Sequence, residues 1–386
     1  MQRLSLAERP DWRTQAERDG FHFHTFEGQP YWYEQAAYRF TLRQVEQDIQ
    51  QVTDELYALC LDFVERAVHD DHILTDLKIP EHAWPIILDS WQRRDLSLYG
   101  RMDLCYDGTS PAKLLEFNAD TPTSVYEAAY FQWSWLEDAA QQGLIPPNSD
   151  QYNDIHEQLI AAFAQIPYAE PVHLATCDGS EEDRATVEYL QDCANQAGLD
   201  TRFVYIEQIG ADANGQFNDL HDQPIRWLFK LYPWEWLWQE SYAEHLASCD
   251  THFIEPPWKA LLSNKAMLAY LWRWHPGHPN LLPSFLESDP QITSLNKCFA
   301  RKPIFAREGA NVSLFDQGKP VAQADGLYGE EGYIHQAFCP LPQFSGSHAV
   351  VGSWIANGHA CGIGIREDDS LITTDDARFV PHFIAD

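Results

Sequence analysis

The chain has 386 residues, of which 45% are hydrophobic, and a formal net charge of −32 at pH 7. Its 14 Trp, 17 Tyr and 20 Phe exclude an intrinsically disordered chain, and its length predicts two or three packed modules. Because nucleic acids and many membrane surfaces are anionic, the strong acidity disfavours both as partners. The N-terminus does not resemble a signal peptide and no apolar stretch has membrane-spanning length, which favours a cytoplasmic protein.

Eight cysteines are scattered along the chain without a Cys-x-x-Cys pair. This spacing is not typical of zinc sites, and a large apolar core does not need disulfide bonds. We therefore expect free thiols at Cys60, Cys105, Cys177, Cys193, Cys249, Cys298, Cys339 and Cys361.

The first predicted element is an amphipathic helix from Thr41 to about Val68, where apolar residues recur at helical spacing. Two extended runs follow, at 98–107 and 112–119, separated by the turn sequence Gly-Thr-Ser-Pro. Together the two runs predict a β-hairpin.

The middle of the chain predicts a change of architecture. Ser124 and Glu127 have the spacing of a capping box, which predicts the start of an aromatic helix that ends near Ala140. The segment 172–207 has a strand, helix and strand pattern, in which the helix begins at Glu181. This pattern predicts a β-α-β unit in a small α/β module.

The last third of the chain, from about Pro256, is rich in short strands and turns and predicts mainly antiparallel sheet. Asn357 and Gly358 separate two long extended runs and predict a two-residue hairpin turn. The aromatic segment 229–238, FKLYPWEWLW, is interpreted as core packing.

Four polar residues of the predicted hairpin are spaced to share one face. Side chains two apart on a strand project to the same side, so Arg101 lies with Asp103, and Glu116 with Asn118. Asp, Glu and Asn supply the hard oxygen ligands that Mg²⁺ prefers, and arginine offers a rigid fork to phosphate oxygens. The structural alternative is a cross-strand ion pair between Arg101 and Glu116. The predicted helix start that follows, whose free amides attract anions, favours a metal and phosphate site.

Two lysines lie in settings that suit phosphate binding. Lys265 stands in Ser-Asn-Lys-Ala, and Lys302 leads into a small-residue loop at 307–311. Each alone is weak evidence, because most lysines are solvated and a lone Gly309 is usual in an ordinary turn.

Taken in chain order, these motifs resemble the ATP-grasp synthetase domain of the glutathionylspermidine synthase family nearly from end to end. The matching positions are Arg101-x-Asp103, Glu116-x-Asn118, Lys265, Lys302 with the loop 307–311, Gln336, 364–367 and 371–373. The resemblance implies an α+β fold of the permuted ATP-grasp type, in which the metal-binding hairpin precedes the nucleotide lysines. Antiparallel sheets and an inserted small α/β module belong to that fold.

The resemblance also implies a function. It predicts an ATP- and Mg²⁺-dependent ligase that joins a carboxylate, such as that of a glutathione-like molecule or peptide, to an amine such as a polyamine through an acyl phosphate. Three chain segments are implied: 1–144, with helical support and the metal-binding hairpin; 145–255, the α/β substrate module; and 256–386, the nucleotide-binding lid and C-terminal sheet.

The family's functional residues carry over onto this sequence one by one. Asp103 and Glu116 would hold one Mg²⁺, Glu116 and Asn118 a second, and Arg101 would stabilise the phosphoryl group during transfer. The residues implied to contact ATP are Arg101, Met102, Asp103, Lys265, Lys302, Gly309, Gln336, Leu371, Ile372 and Thr373. Those implied to contact the other substrates are Thr121, Glu181, Glu182 and Arg366.

Two features depart from the bifunctional members of that family. The chain begins close to the synthetase region, so an amidase domain and product hydrolysis are not expected. Thr121 and Leu231 stand where those enzymes carry Ser and Thr.

Other interpretations stay open at this point. Glu181 and Glu182 would also serve simply to complement a helix dipole. A non-catalytic nucleotide sensor is the main alternative to a ligase, although the retention of Arg101 disfavours it. A metal-dependent phosphohydrolase is less favoured, because it leaves the two lysines without a role.

Overall fold

The computed structural model describes residues 1–26, 28–167 and 169–385. The strands among them, numbered in chain order, are Gln2–Ser5 (β1), Thr25–Phe26 (β2), Gln29–Pro30 (β3), Ala36–Phe40 (β4), Tyr99–Cys105 (β5), Lys113–Asn118 (β6), Val172–Thr176 (β7), Thr201–Tyr205 (β8), Gly210–Ala211 (β9), Phe217–Asn218 (β10), Trp227–Leu231 (β11), His252–Ile254 (β12), Ser284–Leu286 (β13), Phe299–Pro303 (β14), Ser313–Asp316 (β15), Lys319–Gln323 (β16), Tyr333–Ala337 (β17), Gln343–Phe344 (β18), Ser347–Ala356 (β19), His359–Asp368 (β20), Arg378–Val380 (β21) and His382–Ile384 (β22).

Among the described residues, fewer belong to α-helices than to strands. They are Trp12–Arg18 (α1), Gln51–Ala67 (α2), Asp71–Asp76 (α3), Trp84–Arg93 (α4), Gln132–Gln141 (α5), Ile155–Phe163 (α6), Glu181–Gln196 (α7), Trp234–Leu237 (α8) and Ala266–Trp274 (α9). Two π-helical segments, Gln44–Gln50 and Glu127–Phe131, lead into α2 and α5. Short 3₁₀ segments occur at Glu81–Ala83, Ile206–Gln208, Ser241–His245, Pro257–Leu261 and Pro290–Leu295.

The largest sheet has six antiparallel strands and contains the predicted hairpin. Its order is β21-β20-β19-β5-β6, with β18 paired to β19. The β5–β6 register places Arg101 opposite Asn118 and Asp103 opposite Glu116, which confirms the hairpin. On the neighbouring β19, a Cβ at Gly352 would lie 2.7 Å from Arg101 Cδ. The glycine therefore leaves the space that the arginine side chain occupies.

A second antiparallel sheet has the order β13-β17-β14-β15-β16, so the predicted antiparallel character of the last third is confirmed. Asn357 (φ 52°) and Gly358 (φ 80°) form the predicted turn between β19 and β20, and both adopt the left-handed conformation that such a turn requires. The chain ends share a smaller sheet, β1-β4-β22.

The third largest sheet, β12-β11-β7-β8, is parallel. Helix α7 connects β7 to β8, which confirms the predicted β-α-β unit. All four strands fall within 145–255, whereas the six-stranded sheet takes strands from both 1–144 and 256–386. The proposed segment boundaries stay a prediction.

The long helix predicted from Thr41 is confirmed, and so is the aromatic helix after the hairpin. The capping box predicted for the aromatic helix is wrong. Ser124 is left-handed (φ 69°), and its Oγ lies 3.0 Å from the Tyr31 hydroxyl, which also donates to Glu127 Oε1 at 2.7 Å. A tertiary partner therefore replaces the local cap.

The two largest apolar cores both include strands of the six-stranded sheet. Met102 and Phe117 belong to one core, and Tyr99 and Trp354 belong to the other. In the part of the chain that the structure describes, no helix is long and apolar enough to cross a membrane.

A buried ion pair joins the end of the hairpin to the parallel sheet. Asp120, two residues after β6, accepts from Lys230 Nζ on β11 at 2.9 Å, and its other oxygen accepts from the Trp234 amide at 2.9 Å. Both charged side chains are almost fully buried. Burial lowers the pKa of the Lys230 ammonium, and Asp120 offsets part of that effect.

We expect Asp120→Ala to lower the free energy of unfolding by about 3–5 kcal/mol, because it leaves the Lys230 ammonium buried without its carboxylate. Urea denaturation measures the loss. Asp62→Ala is the control, since Asp62 pairs with Arg66 at 2.8 Å on the exposed surface of α2 and should cost less than about 1 kcal/mol. Equally small losses in both variants would show that the buried pair does not hold the sheets together.

Candidate active site

A cavity of about 410 Å³ lies where the three sheets meet. The six-stranded sheet contributes the hairpin face and Arg366 of β20, and the five-stranded sheet contributes Lys302 of β14 and Gln336 of β17. The parallel-sheet region supplies Leu231 at the end of β11 and Asp183 in the first turn of α7. Side chains far apart in sequence therefore face one another across the cavity.

Two arginines converge on Asp103. Arg101 Nε donates to Asp103 Oδ1 at 2.8 Å, and Arg366 donates to Asp103 Oδ2 at 2.6 Å. Arg101 is further fixed by a 2.8 Å hydrogen bond to the Thr123 carbonyl. Burial would lower the pKa of the Arg101 guanidinium, but the Asp103 carboxylate outweighs it and raises that pKa. The arginine is therefore a fixed cation, and its partner is not the Glu116 of the alternative cross-strand interpretation.

The second carboxylate, Glu116, faces Lys265. Lys265 Nζ lies 3.0 Å from Glu116 Oε2 and also donates to the Ala306 carbonyl. Burial would raise the pKa of the Glu116 carboxyl, but Lys265 and Lys302 outweigh it and hold the pKa well below its usual range. Glu116 is consequently an anion at neutral pH.

Lys302 and Gln336 meet on the facing sheet. Lys302 Nζ donates to Gln336 Oε1 at 2.8 Å and to the Leu115 carbonyl of the hairpin at 3.0 Å. Burial lowers the pKa of Lys302 to about 8, and the nearby Glu116 carboxylate offsets part of the effect. The lysine thus bridges the two sheets beside the carboxylates.

The donor atoms fit Mg²⁺. Asn118 Nδ2 donates to Asp103 Oδ2 at 3.2 Å and to Glu116 Oε1 at 3.5 Å, so the amide lies beside both carboxylates. Among the described residues no cluster of three or more His, Cys, Asp or Glu suits a metal, so the amide of Asn118 would have to be the third protein ligand. Because Mg²⁺ takes about six ligands, this set leaves positions for phosphate oxygens and water.

An apolar patch completes the cavity beside Lys302. Ala300, Val312, Leu314 and Ile372 are buried against one another and line the wall, a surface that suits the flat face of a nucleobase. Leu371 and Thr373 line the same wall. The Met102 side chain is buried in the core instead, and Met102 is not part of the cavity wall.

The loop at 307–311 connects β14 to β15 of the five-stranded sheet and contacts the parallel-sheet region. Arg307 donates to Glu235 of α8 at 2.6 Å and to the Thr121 hydroxyl. Gly309 is left-handed (φ 70°), and a Cβ there would lie 2.7 Å from Ile372 Cγ2 and 2.8 Å from the Thr373 carbonyl oxygen. The glycine therefore allows the loop to pack directly against the cavity wall.

Two of the four predicted substrate residues line the cavity, namely Thr121 and Arg366. Neither Glu181 nor Glu182 is part of the wall: Glu181 is exposed, whereas Glu182 is partly buried and lies near Glu127. Burial, followed by the charge of Glu127, raises the pKa of Glu182 to about 8, and burial raises the pKa of Glu127 to about 7.

The core interpretation of segment 229–238 is wrong in part. Trp234 is fully buried, but Trp236 is 43% exposed and lines the cavity together with Tyr232 and Pro233. In the short helix α8, residues two apart point in different directions, so only alternate tryptophans reach the core. The wall also contains residues that the sequence did not single out: Cys177, Asp183, Tyr232, Trp236 and Leu314. For Trp236 the sequence did carry a signal, because helical spacing places Trp236 on the side opposite Trp234 and Trp238.

Comparison with known proteins agrees with this geometry. The family description "glutathionylspermidine synthase preATP-grasp" matches residues 3–385. The chain is 39% identical over 393 residues to a Haemophilus influenzae protein named as an acid–amine ligase, with 97% of each chain covered.

More distant relatives extend the comparison. The bifunctional glutathionylspermidine synthetase/amidase of Escherichia coli is 26% identical over 366 residues, which cover 87% of this chain and 57% of that protein. The solved structure of a glutathione synthetase-like effector from Globodera pallida, in its apo form, superimposes with a TM-score of 0.60 at 12% identity and covers 98% of both chains. At 12% identity, this similarity shows a shared fold alone.

We expect Gly309→Ala to weaken ATP binding by about tenfold or more, because the new methyl group would displace the wall at Ile372 and Thr373. Calorimetric titration with a non-hydrolysable ATP analogue measures the change. Gly277→Ala is a matched control, since Gly277 has a similar positive φ of 83° but open space around it. Equal affinities in the two variants would remove this loop from the nucleotide site.

Proposed function

Because this chain belongs to the glutathionylspermidine synthase family, we propose that it joins a carboxylate to an amine through an acyl phosphate, with ATP and Mg²⁺. Its named relatives are ligases and synthetases, and the chain is accordingly an ATP-dependent carbon–nitrogen ligase. The use of Mg²⁺, the acyl phosphate intermediate and the classes of the two substrates are the parts that we propose.

The observation that carries the proposal is the meeting of the two hairpin carboxylates, Asp103 and Glu116, with cations from several elements. Arg101 belongs to the same hairpin, Lys302 and Arg366 line the cavity from other strands, and Lys265 pairs with Glu116 from the start of α9. The whole chain has only 26 Lys and Arg against 58 Asp and Glu. Such a concentration of cations suits a polyanionic ligand such as a nucleotide triphosphate.

In this proposal Asp103, Glu116 and Asn118 hold two Mg²⁺ ions, with Glu116 shared between them. Bound Mg²⁺ would neutralise charge on the phosphate oxygens and align the γ-phosphate. When phosphates enter, Lys265 and Arg366 are close enough to exchange their carboxylate partners for phosphate oxygens. That exchange would leave Asp103 and Glu116 free to hold the metal.

Arg101 is proposed as the catalytic residue. Its guanidinium is immobilised by Asp103 and by the Thr123 carbonyl, so it needs little rearrangement to stabilise charge on the phosphoryl group in transfer. Lys302 and Gln336 would contact the phosphates from the facing sheet. The apolar patch with Leu371, Ile372 and Thr373 would hold the base.

The carboxylate substrate is proposed to be that of a glutathione-like molecule or peptide, next to Thr121 and Arg366. The amine is proposed to be a polycation such as a polyamine. Asp183 and Glu308 line the cavity, and Glu182 lies near both of them and near the buried Glu127. These acids would pair with distal ammonium groups. One amine must be neutral to attack the acyl phosphate.

The first test is product formation. With ATP, Mg²⁺, glutathione and spermidine, we expect mass spectrometry to detect an amide, and Glu116→Gln to reduce its rate by about 100-fold or more because both metal sites lose a charged ligand. Glu55→Gln is the control, since Glu55 is exposed, contacts His278 and should keep full activity. Unchanged, metal-dependent turnover in Glu116→Gln would remove the hairpin from the active site.

The second test concerns the amine. As the pH rises from about 6 to about 9, Glu127 and Glu182 gain negative charge and more amine is neutral, so kcat/KM for a polyamine should rise. Glu182→Gln should flatten this profile and lower kcat/KM by about tenfold.

Glu181→Gln is the matched control for Glu182→Gln, because Glu181 is exposed outside the cavity and should have little effect. Competition between amines of different charge provides the second readout. Identical pH profiles for the two variants, or equal use of a neutral amino-acid amine, would contradict a role for Glu182 in binding a polycation.

A further inference from the structure

We propose that Cys105 and Cys339 are an oxidation site: a thiol pair that closes to a disulfide and locks the cavity walls together. Their sulfur atoms lie 3.3 Å apart although the residues are 234 positions apart in the chain. All eight cysteines are free thiols in the structure, so no disulfide joins this pair.

The pair lies at a junction between the two sheets that form the cavity. Cys105 is the last residue of β5, two positions after Asp103, and Cys339 follows Gln336 of β17 by three positions. A bond between them would therefore link the end of β5 in the six-stranded sheet to the segment that leaves β17 of the five-stranded sheet. Leu115, Leu341 and Val350 pack around the two sulfurs and keep them in contact.

The two thiols differ in access. Cys105 is buried, whereas Cys339 is partly exposed and lines the cavity, so a small oxidant entering the cavity reaches Cys339 first. The shared hydrogen bond with Cys105, together with Lys113 and Lys302, lowers the pKa of the Cys339 thiol. A larger thiolate fraction makes Cys339 the better nucleophile.

A peroxide is the proposed oxidant. The Cys339 thiolate attacks one peroxide oxygen, forms a sulfenic acid and releases hydroxide. The Cys105 thiol then attacks the Cys339 sulfur, the S–S bond forms, and water leaves with the sulfenic oxygen. Two thiols are oxidised by two electrons and one hydrogen peroxide is reduced to two waters. A dithiol reductant reverses the bond.

The effect on activity rests on the proposed function. Entry of ATP and release of ADP require the walls carrying Asp103 and Lys302 to separate, and a covalent link beside both residues would hinder that separation. Oxidation should therefore slow nucleotide exchange while the fold stays intact.

The test is treatment of the full-length protein with hydrogen peroxide, followed by alkylation and peptide mass spectrometry. We expect a Cys105–Cys339 linkage, a rise in melting temperature, and about a tenfold loss of turnover that dithiothreitol restores. Cys105→Ser and Cys339→Ser, each compared with its own untreated sample, should lose less than about twofold. Cys177→Ser removes another thiol of the same wall and should stay as sensitive as the parent.

The linkage assay does not depend on catalysis, so failure of the ligase proposal and failure of this inference are read separately. Absence of the linkage under conditions that alkylation shows to oxidise Cys298 would overturn the oxidation site. If the linkage forms without a change in nucleotide turnover or nucleotide affinity, the disulfide does not hold the cavity walls together as proposed.

Discussion

Two carboxylates, Asp103 and Glu116, lie side by side on adjacent strands and are mostly buried, so their like charges repel and cannot be left uncompensated. The compensation comes from remote parts of the chain: Arg366 from β20, Lys265 from the start of α9, and Lys302 from β14. The hairpin, the C-terminal sheet and the five-stranded sheet must all be in place before these charges balance. The same balance leaves a set of cations whose carboxylate partners can be exchanged for phosphates.

The cavity consequently has two electrostatic sides. Around the hairpin, cations surround a pair of carboxylates and an amide, next to an apolar surface built from β14, β15 and the segment 371–373. Towards α7, burial raises the pKa values of Glu127, Glu182 and Asp183, and repulsion from Glu127 adds to the effect on Glu182. A nucleotide suits the first side and a cationic amine suits the second, which places the reacting phosphate between them. The proposed thiol pair would act on the first side, where it joins the two sheets.

Sequence analysis identified the hairpin and its four polar residues because a strand alternates sides with period two, a rule that depends on local geometry alone. The local settings of Lys265 and Lys302 suited phosphate binding only weakly, and the family resemblance was needed to distinguish them from solvated lysines. Contacts between distant residues could not be predicted in this way. The Tyr31 hydroxyl replaces a capping box, Arg307 reaches Glu235, and Trp236 turns into the cavity while Trp234 enters the core. Each depends on where another part of the chain lies.

The central claim is that the hairpin carboxylates bind metal and nucleotide together. Calorimetric titration of a non-hydrolysable ATP analogue, with and without Mg²⁺, tests it most directly in the parent and in Asp103→Asn. The account predicts that Mg²⁺ strengthens binding by about tenfold or more in the parent and by much less in the variant. An equal gain from Mg²⁺ in both proteins, or no gain in the parent, would contradict it.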